Sequence, residues 1–136
     1  MDPLKAISAI AASGMRAQAE RLRIVSENVA NADSTGNSPG ADPYRRKTIS
    51  FGQMVDQATG AEMVKVTDIG RDQSDFELKY DPGNPAANAD GFVKMPNVNP
   101  IIEMSNMREA SRSYEANINM LDTGRKMQLQ MIDLLK

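Results

Sequence analysis

The residues of this sequence that could carry chemistry are its carboxylates. The chain has 136 residues and contains neither histidine nor cysteine, which excludes the commonest acid–base and nucleophilic sites and every thiolate metal site. A group of acids in the middle of the chain could still bind a cation or form the Asp/Glu pair of a small hydrolase. The group consists of Asp68, Asp72, Asp75 and Glu77. We interpret these side chains as solvated residues of turns and strand edges, and we predict no catalytic site, metal site or cofactor.

A second set of oxygen-bearing residues resembles part of a calcium-binding loop. Asn88, Asp90 and Gly91 have suitable types and spacing. The first ligand position of such a loop would be Ala86, however, and the twelfth would be Asn97 in place of glutamate. Because both positions lack the ligand that the loop requires, the pattern does not predict a calcium site.

Three consecutive basic residues, Arg45–Lys47, follow Tyr44 and could contact nucleic acid. The net charge of the chain is −2, which gives it no electrostatic reason to seek nucleic acid or an anionic membrane. We interpret the three bases as the solvent face of an edge strand, where charges prevent unwanted strand pairing. A role of this segment as a partner surface remains open.

The sequence predicts a helix near each end of the chain, and these helices flank the residues discussed above. Asp2-Pro3 and Asn99-Pro100 each combine a capping side chain with proline at the first helical position, which predicts a helix start. The first helix is predicted to reach Asp33 and the last to reach Lys136.

The residues between the helices are predicted to form strands, at 44–51, 62–69, 75–80 and 92–95. In the third of these, apolar and polar residues alternate, which predicts a half-buried strand. Most of the aromatic residues lie in this middle region, so we expect a small core built around their rings. These residues are Tyr44, Phe51, Phe76, Tyr80 and Phe92.

The predicted fold class is therefore α+β. Two long terminal helices are expected to pair as a coiled-coil-like core domain, with a small antiparallel β insert between them. The corresponding domains are a helical assembly domain of residues 1–33 with 97–136, a flexible connector at 34–43, and a small β domain at 44–96.

Both terminal helices carry apolar seams at heptad spacing, as coiled coils do. The seam of the first helix is rich in small residues, whereas the last helix is rich in methionine and has a second apolar stripe near its end. We interpret the methionines as packing residues and not as metal ligands. A chain with its long seams at both ends is predicted to assemble with copies of itself or with its relatives. The predicted assembly interface comprises Leu4, Met15, Leu22, Val25, Asn28, Val29, Asn31, Met104, Met107, Tyr114, Ile118, Leu121, Ile132 and Leu135.

Two interpretations of Asn28 and Asn31, at the end of the first seam, remain open. The asparagines could fray the helix and lead into the loop at Gly36. Alternatively, amides in an apolar interface could fix its register, as a single buried asparagine does in coiled coils.

Residues 26–35, Ser-Glu-Asn-Val-Ala-Asn-Ala-Asp-Ser-Thr, resemble the N-terminal signature of the bacterial flagellar axial proteins, the family of rod, hook and hook-associated subunits. Residues 43–47, 91–104 and 110–117 resemble the proximal-rod members of that family, in the same order and at similar spacing. Two positions depart from the pattern: Ser34 stands where the signature usually has threonine, and Gly124 lies in a stretch that is usually rich in alanine.

The resemblance implies a structural subunit of the flagellar basal-body rod, which is not an enzyme and binds other rod subunits and copies of itself. It also implies export in an unfolded form through the flagellar type III apparatus, and terminal helices that pack into the inner tube of the rod. The sequence agrees with this: we expect no cleavable signal peptide, because Met1-Asp2-Pro3 gives no basic n-region and no uninterrupted apolar region follows. No apolar run is long enough to predict a membrane span. Synthesis in the cytoplasm and no nucleic-acid partner are therefore expected. The alternative is a cytoplasmic coiled-coil adaptor.

The terminal helices are expected to be largely disordered in the free monomer. Long helices gain most of their stability from packing, and the small residues of the first seam bury little area by themselves. Assembly would then be coupled to helix formation.

Overall fold

The computed structural model describes residues 3–136, and the predicted helix cap at Asp2 lies outside the described residues. In that range two helices flank four strands, with bounds α1 Pro3–Ala30, β1 Lys47–Val55, β2 Glu62–Arg71, β3 Glu77–Tyr80, β4 Phe92–Met95 and α2 Pro100–Leu134. β1 pairs with β2, and β3 pairs with β4 in an antiparallel register. This order confirms the predicted α+β fold. Neither helix of the described chain has an apolar stretch long enough to cross a membrane.

Helix α2 begins where the cap signature predicts. The Ile101 N–H donates to Asn99 Oδ1 at 3.1 Å, and the Glu103 N–H donates to the Asn99 carbonyl oxygen at 3.0 Å. Pro100 occupies the first helical position, where its missing N–H would have no partner within the helix. Glu103 lies in the first turn, where a carboxylate interacts favourably with the helix dipole.

Helix α1 ends at Ala30, before the predicted end at Asp33. The backbone N–H and Nδ2 of Asn31 both donate to the Glu27 carbonyl oxygen, at 3.1 and 2.8 Å. Asn31 Oδ1 in turn accepts a hydrogen bond from Ser34 Oγ at 3.0 Å. After Asn31 the backbone bonds change to the i→i−3 type, from the Ala32 N–H to the Val29 carbonyl oxygen at 3.3 Å and from the Ser34 N–H to the Asn31 carbonyl oxygen at 3.1 Å. The helix therefore ends in a turn at this point, which favours the helix-ending interpretation for Asn31.

The chain divides into two compact units. Unit 1 contains the described part of Met1–Leu22, together with Ile49–Asp68 and Arg108–Lys136. Within it, the Val64 N–H donates to Ser13 Oγ at 3.2 Å and so ties β2 to α1. Alanine buries little apolar area, so the fully buried side chains of unit 1 contribute little packing energy. Its buried apolar side chains are Ala11, Ala17, Ala61, Met63 and Ala110.

Unit 2 contains Arg23–Thr48 and Ile69–Met107. Its core combines larger apolar side chains with two polar ones. Asn28 and Glu103 are both 0% exposed, and a buried polar side chain is stable only when it is hydrogen-bonded. The buried apolar residues beside them are Ile24, Val25, Ala86 and Val93.

The predicted core of aromatic rings is wrong. Phe51, Tyr80 and Phe92 are exposed, Tyr80 to 66%. Tyr80 and Phe92 form only an edge contact, with ring centroids 5.4 Å apart, and the Phe76 ring lies 4.3 Å from the Arg45 guanidinium. A pair of strands is too narrow to surround several rings with other side chains.

The predicted half-burial of the third strand is also wrong, because all four residues of β3 are exposed. The burial in this sheet lies on β4, where Val93 is fully buried. Alternation of apolar and polar residues shows that a strand has an apolar face, but it does not show that another layer covers that face.

Candidate assembly interface

In unit 1, α1 and α2 place part of the predicted interface around an open apolar groove of about 310 Å³. Met15 of α1 lines this groove together with Tyr114 and Leu121 of α2. The small side chains of Ala12 and Ala19 and the side chain of Arg16 complete the lining of the groove. The structure therefore brings three of the predicted interface residues together in one surface.

The two helices of unit 1 approach closely at Gly14. A Cβ atom at this position would lie 2.7 Å from Asn117 Oδ1, and the Asn117 amide is held by a 2.8 Å hydrogen bond from Nδ2 to the Ser113 carbonyl oxygen. Arg21 Nη2 and Glu109 Oε2 add an ion pair at 3.3 Å. The small residues of α1 therefore serve close helix approach more than burial of apolar area.

A second apolar groove, of about 410 Å³, is lined by residues that lie outside the predicted assembly interface. Ile7 of α1 lines it, as do Met120, Gly124 and Met127 of α2. Met120, Met127 and Leu134 are spaced seven residues apart, so a third heptad row was present in the sequence. The second apolar stripe predicted near the end of this helix consisted of Met127, Met131 and Leu134, so it included two members of this row and left out Met120.

The end of α2 is uncovered. Every residue from Arg125 to Lys136 is exposed, and Leu134 and Leu135 are 84% and 86% exposed. The large apolar residues of this segment, here called the apolar end of α2, are Met127, Leu129, Met131, Ile132, Leu134 and Leu135. Several large apolar side chains exposed together at one helix end are typical of an interaction surface.

The remaining predicted interface residues differ in exposure. Met104, Ile118, Ile132 and Leu135 are exposed, whereas Leu4, Leu22, Val29, Asn31 and Met107 are half-buried. Val25 and Asn28 are buried within unit 2, so the structure gives both an intramolecular role. Whether any of these residues contacts another chain stays a prediction.

Asn28 is the centre of a buried hydrogen-bond network. Its Nδ2 donates to the Lys47 carbonyl oxygen at 3.0 Å and to Glu103 Oε2 at 3.4 Å. Its Oδ1 accepts hydrogen bonds from the Tyr44 hydroxyl at 2.7 Å and from the Lys47 N–H at 2.9 Å. Arg46 Nε donates to Glu103 Oε1 and pairs with its charge. We call Asn28, Tyr44, Arg46, Lys47 and Glu103 the polar clasp.

Asn97 and two ion pairs surround the polar clasp. The Arg46 N–H donates to Asn97 Oδ1 at 2.8 Å, and Asn97 Nδ2 donates to the Asp72 carbonyl oxygen at 2.9 Å. Lys47 Nζ lies 2.6 Å from Glu27 Oε2. The hydrogen bond from Lys47 lowers the pKa of Glu27, bonds from Ser74 lower the pKa of Asp72, and burial raises the pKa of Tyr44.

The interpretation of Arg45–Lys47 as a solvent-facing stretch is wrong. All three side chains are half-buried. Arg45 Nη1 donates to the Asp72 carbonyl oxygen at 2.9 Å, while the two other bases pair with the carboxylates of Glu103 and Glu27. Each base finds an acceptor on a segment distant in sequence, and local charge patterning does not reveal such partners.

Of the four acidic residues predicted to be solvated, Asp72 has partners within the chain. Asp72 Oδ1 accepts a hydrogen bond from the Ser74 N–H at 2.8 Å, and Asp72 Oδ2 lies 3.6 Å from Arg46 Nη1. Asp68, Asp75 and Glu77 are exposed. Among the described residues, no three acidic side chains are grouped so that they could hold a metal ion.

Two known protein families match the chain, one at each helix. The family described as "Flagella basal body rod protein" matches residues 9–37. The family described as "Flagellar basal body rod FlgEFG protein C-terminal" matches residues 89–134.

Similar proteins match over nearly the whole length. The flagellar basal-body rod protein FlgC of Agrobacterium fabrum is 60% identical over 136 residues, which cover 100% of this chain and 98% of that protein. The protein of the same name from Escherichia coli O6:H1 is 46% identical over 127 residues, 92% of each chain. That of Bacillus subtilis is 37% identical over 142 residues, 93% of this chain and 95% of the other. On this identity along its full length, the chain belongs to the FlgC family of flagellar basal-body rod proteins.

Proposed function

We propose that this chain is a structural subunit of the flagellar basal-body rod, in its proximal part, and that it assembles with other rod subunits and with copies of itself. The observation that carries the mechanism is the apolar end of α2. Its large side chains are exposed on the single chain. Exposed apolar side chains do not stabilise an isolated subunit, whereas a multi-chain assembly can bury them and gain free energy.

The energy available from this surface is large enough to drive assembly. Burial of one large apolar side chain stabilises by roughly 1.5–3 kcal/mol. Six such side chains in the apolar end of α2 therefore give on the order of 10 kcal/mol before the cost of ordering is subtracted. The two apolar grooves of unit 1 would add to this where a neighbouring helix fills them.

The proposed contact residues are those of the two seams, together with Ile7, Met120 and Met127 from the second groove. In the assembled rod, residues 1–33 and 97–136 would act as the helical assembly domain, residues 44–96 as the outer β domain, and 34–43 as the connector between them. The seam residues proposed to contact neighbours are Leu4, Met15, Leu22, Val29, Asn31, Met104, Met107, Tyr114, Ile118, Leu121, Ile132 and Leu135. Val25 and Asn28, which are buried within unit 2, would support this surface from inside the chain.

We also propose that the subunit is made in the cytoplasm and exported unfolded through the flagellar type III apparatus. The resemblance to axial proteins supports this route. The alanine-rich core of unit 1 supports it physically, because a unit with little packing energy needs little work to unfold.

Replacement of apolar residues at the end of α2 tests the proposal. Ile132→Asp and Leu135→Asp should leave the free energy of unfolding of the free chain within about 0.5 kcal/mol, because both side chains are already exposed. In cells that carry only the variant, the chain should be secreted but absent from purified basal bodies, and the cells should not swim.

The matched control is Leu78→Asp, since Leu78 is an exposed apolar residue of β3 at 61%. This variant should enter basal bodies and support swimming. Normal rods with Ile132→Asp would contradict the proposed contact surface. Wild-type chain found only in the cytosol would contradict the proposed location in the rod.

A further inference from the structure

The polar clasp joins three segments that are far apart in sequence. Asn28 near the end of α1 contacts Glu103 in the first turn of α2, 75 positions away. Lys47 at the start of β1 bonds to the Asn28 side chain through both its backbone N–H and its carbonyl oxygen. Closing such long loops costs entropy, so each segment is stabilised only when the others are in place.

The hydrogen bonding of Asn28 makes these contacts cooperative. Its amide donates twice and accepts twice, so its capacity is used in full. Loss of any one segment leaves buried polar groups of the other two without partners, which is more costly than the loss of the bond itself. Glu103 adds a buried charge that only Arg46 compensates by an ion pair among the described residues.

The rest of both helices lacks a comparable anchor. The described part of unit 1 buries mainly alanines, and the large side chains of the apolar end of α2 are between 47% and 86% exposed. The stability of α1 and α2 is therefore concentrated in the residues that belong to unit 2, Arg23–Ala30 and Pro100–Met107.

We propose that the polar clasp is a folding nucleus, which keeps the last turns of α1 and the first turns of α2 helical in the free chain. Both helices then lengthen away from it when a partner covers their apolar faces. The first turn of a helix forms with a statistical weight of only about 10⁻³, whereas each added residue extends it at little cost. A helix already nucleated by the polar clasp avoids that first penalty when it assembles. The proposal concerns the free chain and holds whether or not the rod contacts are those given above.

Amide hydrogen exchange of the dilute free chain, followed by NMR, tests the proposal. Amides at 27–30 and 104–107 should exchange at least about tenfold more slowly, equivalent to about 1.4 kcal/mol, than amides at 8–18 and 115–130. Equal exchange rates along each helix would overturn the proposal.

Asn28→Ala tests the cooperative coupling. Exchange should become about tenfold faster or more in all three joined segments, 24–30, 44–48 and 101–107, because each loses a partner. The matched control is Asn31→Ala. It removes an asparagine from the same helix end, and within residues 3–136 its side chain bonds to Glu27 and Ser34 alone. In this control the amides at 104–107 should keep their wild-type rates.

If Asn28→Ala unfolds unit 2, a milder variant can still test the coupling. Tyr44→Phe keeps the ring and removes only the hydroxyl that donates to Asn28 Oδ1. It should accelerate exchange in the same three segments, by a smaller factor than Asn28→Ala. Faster exchange confined to residues near the substituted position, in either variant, would overturn the proposal.

Discussion

The Asn117 side chain lies directly against the backbone of Gly14, so close that a Cβ atom at residue 14 would be 2.7 Å from Asn117 Oδ1. Because of this contact, the substitution Gly14→Ala has two opposing effects on stability. The alanine favours helix by about 1 kcal/mol, but Asn117 must move and give up its hydrogen bond to Ser113, at a net cost of about 1 kcal/mol. We expect the stability of Gly14→Ala to stay within about 0.5 kcal/mol of wild type in urea unfolding.

The double variant Gly14→Ala/Asn117→Ala separates these effects. Without the amide there is no clash, so the helix propensity of alanine should appear as a gain of about 1 kcal/mol over Asn117→Ala alone. If the two substitutions are additive, the close contact at Gly14 does not limit the stability of the free chain.

The turn between β1 and β2 requires a glycine. Gly60 has φ of 72°, a left-handed conformation that costs other residues about 1 kcal/mol or more. Gly60→Ala should therefore destabilise the chain by about 1–2 kcal/mol in thermal unfolding. The control is Gly83→Ala, where an added Cβ meets nothing within 4 Å. That substitution should be neutral or stabilise by up to about 1 kcal/mol. Equal effects of the two would mean that the turn is not held in this conformation in solution.

The ion pair of Glu27 with Lys47 makes stability depend on pH. The hydrogen bond from Lys47 lowers the folded pKa of Glu27 below its ordinary value of 4.5. A lowered folded pKa means that the pair contributes its full stability above about pH 4.5 and loses it as the pH falls through the lower folded value. Glu27→Gln should accordingly flatten the decline of stability in this acidic range, as measured by unfolding at a series of pH values.

Lys47→Met provides the control, because it removes the ammonium and leaves the backbone bonds of Lys47 to Asn28 in place. It should reproduce only the Lys47 share of the effect of Glu27→Gln, since Arg23 Nη1 also pairs with Glu27 Oε1 at 2.8 Å. Adding Lys47→Met to Glu27→Gln should cause little further change. Two independent, additive effects would show that the pair is not formed in solution.

Leu22 and Leu121 lie in the apolar seams of α1 and α2, and both are half-buried. Leu22→Asp or Leu121→Asp would place a charge against apolar neighbours that helix packing must bury. Rod assembly and motility should be lost while export continues, which is checked by swimming assays and by detection of secreted chain. The controls are Leu22→Met and Leu121→Met, which keep apolar volume and should swim. Normal motility of the aspartate variants would exclude the seams from the assembly.

Local signals predicted the start of α2 and some strands well. The Asn99-Pro100 signature lies where α2 begins, and β4 occupies the predicted residues 92–95. The end of α1 was placed too late, since the periodic apolar pattern continues to Ala32 while the Asn31 side chain closes the turn. Strand β1 begins at Lys47 and not at Tyr44.

The polar clasp could not be predicted because its partners are distant in sequence. Spacing around Asn28 allowed either helix fraying or an interface amide, and nothing nearby pointed to Lys47 or Glu103. The exposure of Tyr80 was missed for a related reason, since strand alternation does not show which face another layer covers. Ile7 was missed because only two heptad rows were followed, although a helix of 3.6 residues per turn presents more than two.

The apolar end of α2 also has a consequence for temperature. Removal of apolar surface from water is driven by entropy near room temperature and weakens on cooling. An assembly held together by Met127, Leu129 and Leu134 should therefore show a negative heat-capacity change on formation. We expect incorporation of this subunit to be cold-sensitive, so that cells shifted to low temperature complete fewer rods even where the chain itself remains folded.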